Sequence, residues 1–299
     1  MLFNPYELLP PLGWVVVAII SISAWNLAVR GLMKKEKDFV ATGASSNIVT
    51  ALLLIPAILF LGFDFGSKAQ PTLGNIPLFG WGVALLSSIL MSVFVYLTYK
   101  ASRQVDAAER HIISRTKLIL VFLFASVFLS EEITFYKIIA AILIIAGSIV
   151  CLYRPGKTNW KINEGVLLVL IASALVAGAD TATKIALQYF SPIIFAIPIH
   201  VIPALSLIFL MGQDATARIG KIFKKYPREI SLIGAISMVL FISVLLSFIS
   251  MDLSVAIPLL SLSVVLTAIS GAILLNEKEG WIQKIIGALL AVAGASLIA

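Results

Sequence analysis

One short stretch of the 299-residue chain concentrates side chains that could do chemistry. The segment AERHIISRTKLILVF, residues 108–122, holds Glu109, Arg110, His111, Arg115 and Lys117, and an apolar run follows. Successive residues of a continuous helix turn by about 100°, so these cations would share one broad face. A face of this kind could bind a carboxylate or a phosphate, because both are recognised by charge-assisted hydrogen bonds.

Arg115 and Lys117 are the least expected members of this stretch. In a helix that starts near residue 107 they would lie about 12 and 15 Å into a membrane. A charge at such a depth costs roughly 2.5–3.5 kcal/mol unless it faces protein or water. Three interpretations stay open: the side chains extend to the interface, Lys117 forms a structural ion pair with Asp180, or both cations line a water-filled cavity.

Two further segments carry ionisable side chains inside apolar sequence. Asp180 and Lys184 are four residues apart in ALVAGADTATKIAL, a spacing typical of an ion pair on one helix face. Alternatively, Asp180 is a proton-coupling carboxylate or a counter-ion for the cations of the fourth span. Lys184 and Glu109 are candidates for the same proton-coupling or counter-ion role. His200 lies among prolines in FAIPIHVIPAL, and is interpreted as a hydrogen-bonded buried histidine or as a residue of a cavity or proton relay.

Aromatic and small polar residues complete the candidate substrate-binding set. Trp25 and Asn26 lie within the first apolar segment, Tyr96 near the end of the third and Ser261 in the ninth. Core packing is the alternative for Trp25. Glu131 is expected in a solvated turn.

The composition places these residues in a membrane protein. Hydrophobic residues make up 60% of the chain and charged residues 12%, whereas a soluble protein carries about 25% charged residues. Runs of about 20 apolar residues span a bilayer as helices. The sequence predicts an all-α membrane protein with ten transmembrane spans: 12–31, 40–62, 78–100, 107–129, 134–153, 163–187, 192–211, 230–250, 253–275 and 281–298.

The two halves of the chain resemble each other. FASVFLSEEITFYKIIAAILIIAGSIV in the fourth and fifth spans parallels AISGAILLNEKEGWIQKIIGALLAVAGASLI in the ninth and tenth, and Gly147 matches Gly294 at an offset of 147. Five spans is an odd number, so two inverted five-helix repeats are predicted, residues 1–156 and 157–299. At the same offset Arg115 and Lys117 correspond to Leu262 and Val264, so the basic residues belong to one repeat only.

These features resemble the drug/metabolite transporter superfamily, specifically its ten-helix EamA-like members. The resemblance rests on the short first turns, on LSEEIT and LNEKEG closing the fourth and ninth spans, and on the Gly- and Ala-rich last helix. It covers essentially the whole chain. One position departs from the pattern: Gly287 fits the usual glycine early in a repeat's last helix, but the first repeat has Ala140. The resemblance implies that helices one, three, four, six, eight and nine line a substrate cavity.

Taken together, the residues predict a secondary active transporter. Its cargo would be a small anionic or zwitterionic metabolite, such as an amino acid, an organic acid or an organic phosphate, moved by alternating access. A lipid or polyprenyl-phosphate flippase and a multidrug exporter are the alternatives. The intramembrane cations oppose a cationic drug, and Asn26 stands where an exporter of cations would have a glutamate.

Other function classes are not predicted. The sequence lacks H-E-x-x-H, G-x-S-x-G and Walker-type motifs, so neither an enzyme nor an ATP-driven pump is expected. The single cysteine, Cys151, excludes an internal disulfide and a thiolate cluster. No metal, cofactor or nucleic-acid partner is expected, and a homodimer and a monomer are both compatible with the sequence.

The distribution of Lys and Arg predicts the orientation. Of the 22 basic residues, 17 lie in odd-numbered connections or the adjoining helix ends, and three in even-numbered ones. Because Lys and Arg favour cytoplasmic connections, a multi-pass protein of the cell (inner) membrane with both termini outside is predicted.

Overall fold

The computed structural model describes residues 8–62, 76–101, 113–152, 164–274 and 281–298, and within these ranges the chain is helical. In chain order the α-helices are α1 Pro11–Met33, α2 Phe39–Leu61, α3 Leu78–Ala101, α4 Thr116–Leu129, α5 Phe135–Leu152, α6 Glu164–Ala186, α7 Pro192–Met211, α8 Ala215–Lys225, α9 Pro227–Ser250, α10 Leu253–Leu260, α11 Leu262–Leu274 and α12 Trp281–Ala295. A single 3₁₀ turn, Gly212–Asp214, joins α7 to α8.

The predicted ten-span membrane architecture is confirmed. In the described part of the chain, seven segments are long and apolar enough to cross a membrane: α1, α2, α3, α6, α7, α9 and the α10–α11 pair. The three remaining apolar helices, α4, α5 and α12, are shorter. The 14 residues of α4 extend about 21 Å, less than the ~30 Å hydrocarbon core. The preceding residues 102–112 lie outside the described ranges.

Two details differ from the predicted spans. The ninth span is divided at Ser261, where α10 ends and α11 begins. Pro258 lacks the N–H that would bond to the carbonyl of Ser254, and the Ser261 hydroxyl donates to the Ile257 carbonyl at 2.9 Å, so helical hydrogen bonding is weakened here. The connection between spans seven and eight contains α8, an 11-residue amphipathic helix that the predicted spans do not include.

The chain forms two compact units. Unit 1 comprises residues 1–92 and 182–250, and unit 2 comprises 93–181 and 251–299. Each unit therefore contains residues from both halves of the sequence, and the division into repeats at residues 1–156 and 157–299 stays a prediction.

In unit 1, α9 packs on α1 and α2, and α2 packs on α7. The contact of α2 with α9 is close because Gly234 has no side chain: a Cβ there would lie 2.4 Å from Val49 Cγ1. Thr50 bridges the same two helices through a 3.2 Å hydrogen bond to the Gly234 carbonyl. Buried Ser and Thr hydroxyls of α2 also donate to carbonyls four residues earlier, which satisfies them without water.

In unit 2, α5 and α12 form the tightest helix pair. A Cβ at Gly147 would lie 2.4 Å from the Gly287 carbonyl oxygen, and one at Gly294 would lie 2.7 Å from the Ala140 carbonyl oxygen. Small residues thus let the two backbones touch, the usual basis of helix association in lipid. Ala140 stands where the family pattern has a glycine. It fits because the close contact at this point of the crossing is made by Gly294 on the partner helix.

Candidate functional site

The centre of the candidate site in unit 2 is a buried ion pair. Lys117 Nζ, in the first turn of α4, lies 2.5 Å from Asp180 Oδ2 on α6. The side chains are 25% and 10% exposed, respectively. Lys117 is about 18 Å from the end of α4, and Asp180 about 9 Å from the end of α6. The pair is therefore at a depth where an uncompensated charge would be costly.

Arg115 adds a second cation two residues before Lys117. It occupies the N-cap position of α4, is half-buried, and its carbonyl accepts the N–H of Leu118 at 3.0 Å. Ile113 is helical, but Ser114 and Arg115 form a turn that interrupts the helix before α4. The helical angles expected for a continuous helix from Glu109 therefore do not apply across this turn, and Arg115 is placed by a helix start instead of a helix face.

The far end of α4 is fixed against α10 by a carboxylate. Ser130 adopts the left-handed conformation (φ 54°) and ends α4, which directs Glu131 toward α10. The Glu131 carboxylate accepts the backbone N–H groups of Leu253 at 2.7 Å and Ser254 at 2.9 Å. It thus caps the N-terminus of α10, a favourable position for a negative charge. Glu131 lies in the α4–α5 turn, as expected, but it is half-buried and bonded to α10.

A second contact joins the start of α5 to the residue that precedes α10. Lys137 Nζ lies 2.8 Å from Asp252 Oδ2 and donates to the Glu132 carbonyl at 2.8 Å. The C-terminal end of α4 and the start of α5 are therefore tied to the start of α10 by two independent charged contacts.

Among the described residues, Ser261 and Tyr96 are the other predicted site residues of unit 2. Ser261 lies at the joint between α10 and α11, where its hydroxyl donates within its own chain segment. Tyr96, on α3, is 41% exposed. Contact of either residue with the Lys117–Asp180 pair is not observed, so their substrate-binding role stays a prediction.

Unit 1 contains a second polar centre around His200. Its Nδ1 lies 2.9 Å from Asn47 Oδ1, and its ring packs edge-on against Phe241 with 4.4 Å between centroids. Asn47 Nδ2 donates to the Gly43 carbonyl, which leaves Oδ1 as the acceptor toward the ring. His200 Nδ1 is therefore the protonated nitrogen, and Nε2 is the acceptor of the neutral ring.

The Nε2 atom of His200 is buried and has no hydrogen-bond partner within the described part of the chain. Trp25 Nε1 on α1 is likewise buried without a partner among these residues. Buried polar atoms are normally paired, so both are available to a ligand or a water molecule. Asn26, next to Trp25, is half-buried.

The remaining predicted residues divide into two groups. Lys184, in the last turn of α6, donates to the Phe248 carbonyl within unit 1. Glu109, Arg110 and His111 fall outside the described ranges, so their predicted roles are untested.

Sequence reasoning missed Asn47 and the capping role of Glu131. Asn47 follows Ser45 and Ser46 in a small polar cluster within an otherwise apolar span, a signal that could have been noticed. Nothing in the sequence near Glu131 indicates that its partner is the start of α10, 122 residues away. No cluster of three or more His, Cys, Asp or Glu side chains suited to a metal occurs in the described ranges.

Comparison with known proteins places this arrangement in a family. No curated protein matches the chain. A solved structure titled "Crystal structure of protein" shares the fold with a TM-score of 0.73 and 16% sequence identity, over 95% of this chain and 94% of that one. The EamA-like transporter family matches residues 9–153 and again residues 163–299. The two matches cover almost the whole sequence, and the chain belongs to the EamA-like transporter family.

Proposed function

We propose that this chain is a secondary active transporter that moves a small anionic or zwitterionic metabolite by alternating access. The observation that carries the proposal is the buried Lys117–Asp180 pair with Arg115 two residues away. Two cations close together in an apolar segment suit a substrate with a carboxylate or a phosphate, because both anions are recognised by charge-assisted hydrogen bonds. Amino acids, organic acids and organic phosphates fit this description.

The pair also suggests how binding could be coupled to protons. The Lys117 ammonium has three N–H donors, and a substrate anion could replace Asp180 as its partner. Asp180 would then be a buried carboxylate without a counter-charge, a costly state that proton uptake relieves. Substrate and proton would thus bind together and be released together, and the driving force would be the proton gradient.

The first experiment is a thermal-stability panel on the protein purified in neutral detergent. The compounds are amino acids, dicarboxylates, sugar phosphates, nucleotides, a soluble polyprenyl-phosphate analogue and quaternary amines. A ligand at 100 times its dissociation constant that binds only the folded protein stabilises it by about 2.7 kcal/mol. We expect small anions or amino acids to raise Tm.

Variants connect the shift to the site. Lys117→Met combined with Asp180→Asn avoids an unpaired buried charge, and Arg115→Met tests the second cation. Lys100→Met is the matched control, since Lys100 pairs with Glu164 at 3.0 Å in a more exposed position. The ligand shift should vanish in the first two and persist in the control. Stabilisation by quaternary amines alone would contradict the proposal in favour of a drug exporter, and stabilisation by the polyprenyl analogue alone would favour a flippase.

Uptake into proteoliposomes tests the proton coupling. With the stabilising compound as radiolabelled substrate, an inward proton gradient should accelerate uptake by the native protein. Asp180→Asn should bind the compound and exchange it but should not respond to the gradient. An unchanged response to the gradient in Asp180→Asn would exclude this carboxylate as the coupling group.

A further inference from the structure

Unit 1 carries a basic surface that shares no residue with the candidate site. It consists of the α1–α2 turn, residues 34–38, and the segment 212–229 around α8. These two segments contain eight Lys and Arg and four Asp and Glu, so four positive charges are in excess. The cations are Lys34, Lys35, Lys37, Arg218, Lys221, Lys224, Lys225 and Arg228.

Ion pairs hold the two segments together but leave part of the positive charge unmatched. Arg218 binds Asp38 through two hydrogen bonds of 2.7 and 2.8 Å, and Tyr226 donates to the Lys35 carbonyl at 3.1 Å. By contrast, Lys221, Lys224 and Arg228 are exposed, and in the described ranges no carboxylate lies within 4.0 Å of their charged groups. Their charge is available to an external partner.

The shape of α8 directs its lysines away from the protein. Ala215 and Ile222 are buried, and the opposite face carries a shallow, open depression of about 540 Å³. This depression is lined by Thr216, Ala217, Gly220, Lys221, Lys224 and Lys225. Its floor is low at Gly220, where a Cβ would meet nothing within 4 Å.

The neighbouring spans place this surface at the level of lipid headgroups. Phe209 and Leu210, at the end of α7, are 86% and 51% exposed, and Leu232, in the second turn of α9, is 57% exposed. Exposed apolar side chains on spanning helices face acyl chains, so the cations between residues 211 and 229 lie just outside the hydrocarbon core. An amphipathic basic helix at this position is the arrangement that binds anionic membrane surfaces.

We propose that the basic surface formed by the α1–α2 turn and α8 binds the headgroups of anionic phospholipids and concentrates them around unit 1. The lysines flanking the Gly220 depression contact the phosphate groups, and Arg228, in the first turn of α9, extends the surface beyond α8. This function does not depend on the identity of the transported substrate.

Energy transfer to labelled lipids tests the proposal. Cys151 is buried and is the only cysteine, so Cys151→Ser with Gln213→Cys gives one exposed attachment point for a donor dye just before α8 and outside the depression. The full chain is reconstituted in phosphatidylcholine vesicles with 30 mol% phosphatidylglycerol. A trace of acceptor-labelled phosphatidylglycerol is compared with the same amount of acceptor-labelled phosphatidylcholine.

We expect labelled phosphatidylglycerol to be enriched about threefold or more over labelled phosphatidylcholine near α8, since each interfacial cation attracts anionic lipid. The variant Lys221→Gln/Lys224→Gln/Arg228→Gln should reduce the ratio to about one. Arg154→Gln/Lys157→Gln/Lys161→Gln removes the same charge from another odd-numbered connection and should leave the ratio unchanged.

Three results would overturn the proposal. In the first, the enrichment of phosphatidylglycerol over phosphatidylcholine is near one in the native protein. In the second, the enrichment falls equally in both triple variants, which would indicate an effect of net charge rather than of a defined surface. Inorganic phosphate could also abolish the enrichment where sodium chloride of equal ionic strength does not, which would identify the surface as a site for a soluble anion. Far-ultraviolet circular dichroism of each variant verifies that the helices are intact.

Discussion

At the scale of single residues, the Lys117–Asp180 pair determines how charge is tolerated inside unit 2. Removing one member leaves the other as an unmatched charge, whereas removing both leaves none. We expect Lys117→Met or Asp180→Asn alone to lower the free energy of unfolding, Lys117→Met by on the order of 3 kcal/mol. The double variant should be closer to the native protein than Lys117→Met alone.

Reversible denaturation in mixed micelles measures these differences as a double-mutant cycle. A coupling energy near zero would show that the two side chains do not interact in the folded protein. Exchange of the two residues, Lys117→Asp with Asp180→Lys, is a further check. It retains the pair but reverses its direction, and should be more stable than either single reversal.

Asp38 links two features of unit 1 in one side chain. Its Oδ1 accepts the Ala41 N–H at 3.0 Å as the N-cap of α2, and both oxygens accept hydrogen bonds from Arg218. The Arg218 guanidinium, and the N–H of Ala41 to a smaller extent, hold the pKa of this carboxyl below its usual value of 3.8. The stabilisation that the Asp38–Arg218 pair gives the folded protein is therefore present at neutral pH. It is lost as the pH falls through the lowered pKa of Asp38.

We predict that Arg218→Gln lowers the free energy of unfolding by roughly 1 kcal/mol between pH 5 and 7, because the pair is partly exposed. The difference in free energy of unfolding between the variant and the native protein should shrink below about pH 3.8, the ordinary pKa of an aspartate. Chemical denaturation across this pH range in neutral detergent measures it. Arg228→Gln removes an exposed arginine that pairs with no carboxylate in the described ranges, and should leave the free energy of unfolding unchanged. If Arg218→Gln lowers the free energy of unfolding equally down to pH 3, the Asp38 carboxylate is not the origin of the effect.

At the scale of helices, the crossing of α5 and α12 depends on the absence of side chains. We expect Gly147→Ala to destabilise unit 2 by about 1–3 kcal/mol, because the added Cβ would meet backbone atoms that cannot move independently. Gly82→Ala in α3 is the matched control, since its Cβ would meet nothing within 4 Å and alanine favours the helix. Thermal unfolding compares them, and equal effects of the two substitutions would contradict the tight crossing.

The helices illustrate what a sequence can and cannot specify here. Apolar runs of about 20 residues predict spans directly, because length and composition suffice for a helix in lipid. The helix α8 was missed because its 11 residues include both apolar and basic side chains. Averaged over a window as long as a membrane span, its hydropathy is that of a polar connection. The joint at Ser261 depends on a local loss of hydrogen bonds at Pro258, which hydropathy does not detect.

The site was less predictable than the helices for a similar reason. Lys117 and Asp180 stood out because charge is rare in spans, and their pairing was among the interpretations that the sequence left open. The partners Asn47 for His200 and Leu253 for Glu131 lie 153 and 122 residues away in the sequence. Ordinary polar residues at such separations carry no signal in a single sequence, because only the packing of helices brings them together.

At the scale of the whole molecule, the orientation in the membrane decides what each end of the chain encounters. The strong bias of Lys and Arg toward odd-numbered connections predicts that α8 is cytoplasmic, where the leaflet surface is negative. The α4–α5 turn, an even-numbered connection, should then face outward. This orientation would present the basic surface of unit 1 to the more strongly anionic leaflet.

Cysteine labelling tests this orientation with one substitution on each side. Gln213 precedes α8 and Glu132 lies in the α4–α5 turn, and both are exposed. In a Cys151→Ser background, we expect a membrane-impermeant maleimide to label Glu132→Cys in intact cells and Gln213→Cys only after permeabilisation. The reverse pattern would place both termini inside and α8 outside. The basic excess would then fail as a guide to topology in this protein, and its electrostatic role in lipid binding would have to be sought in the outer leaflet.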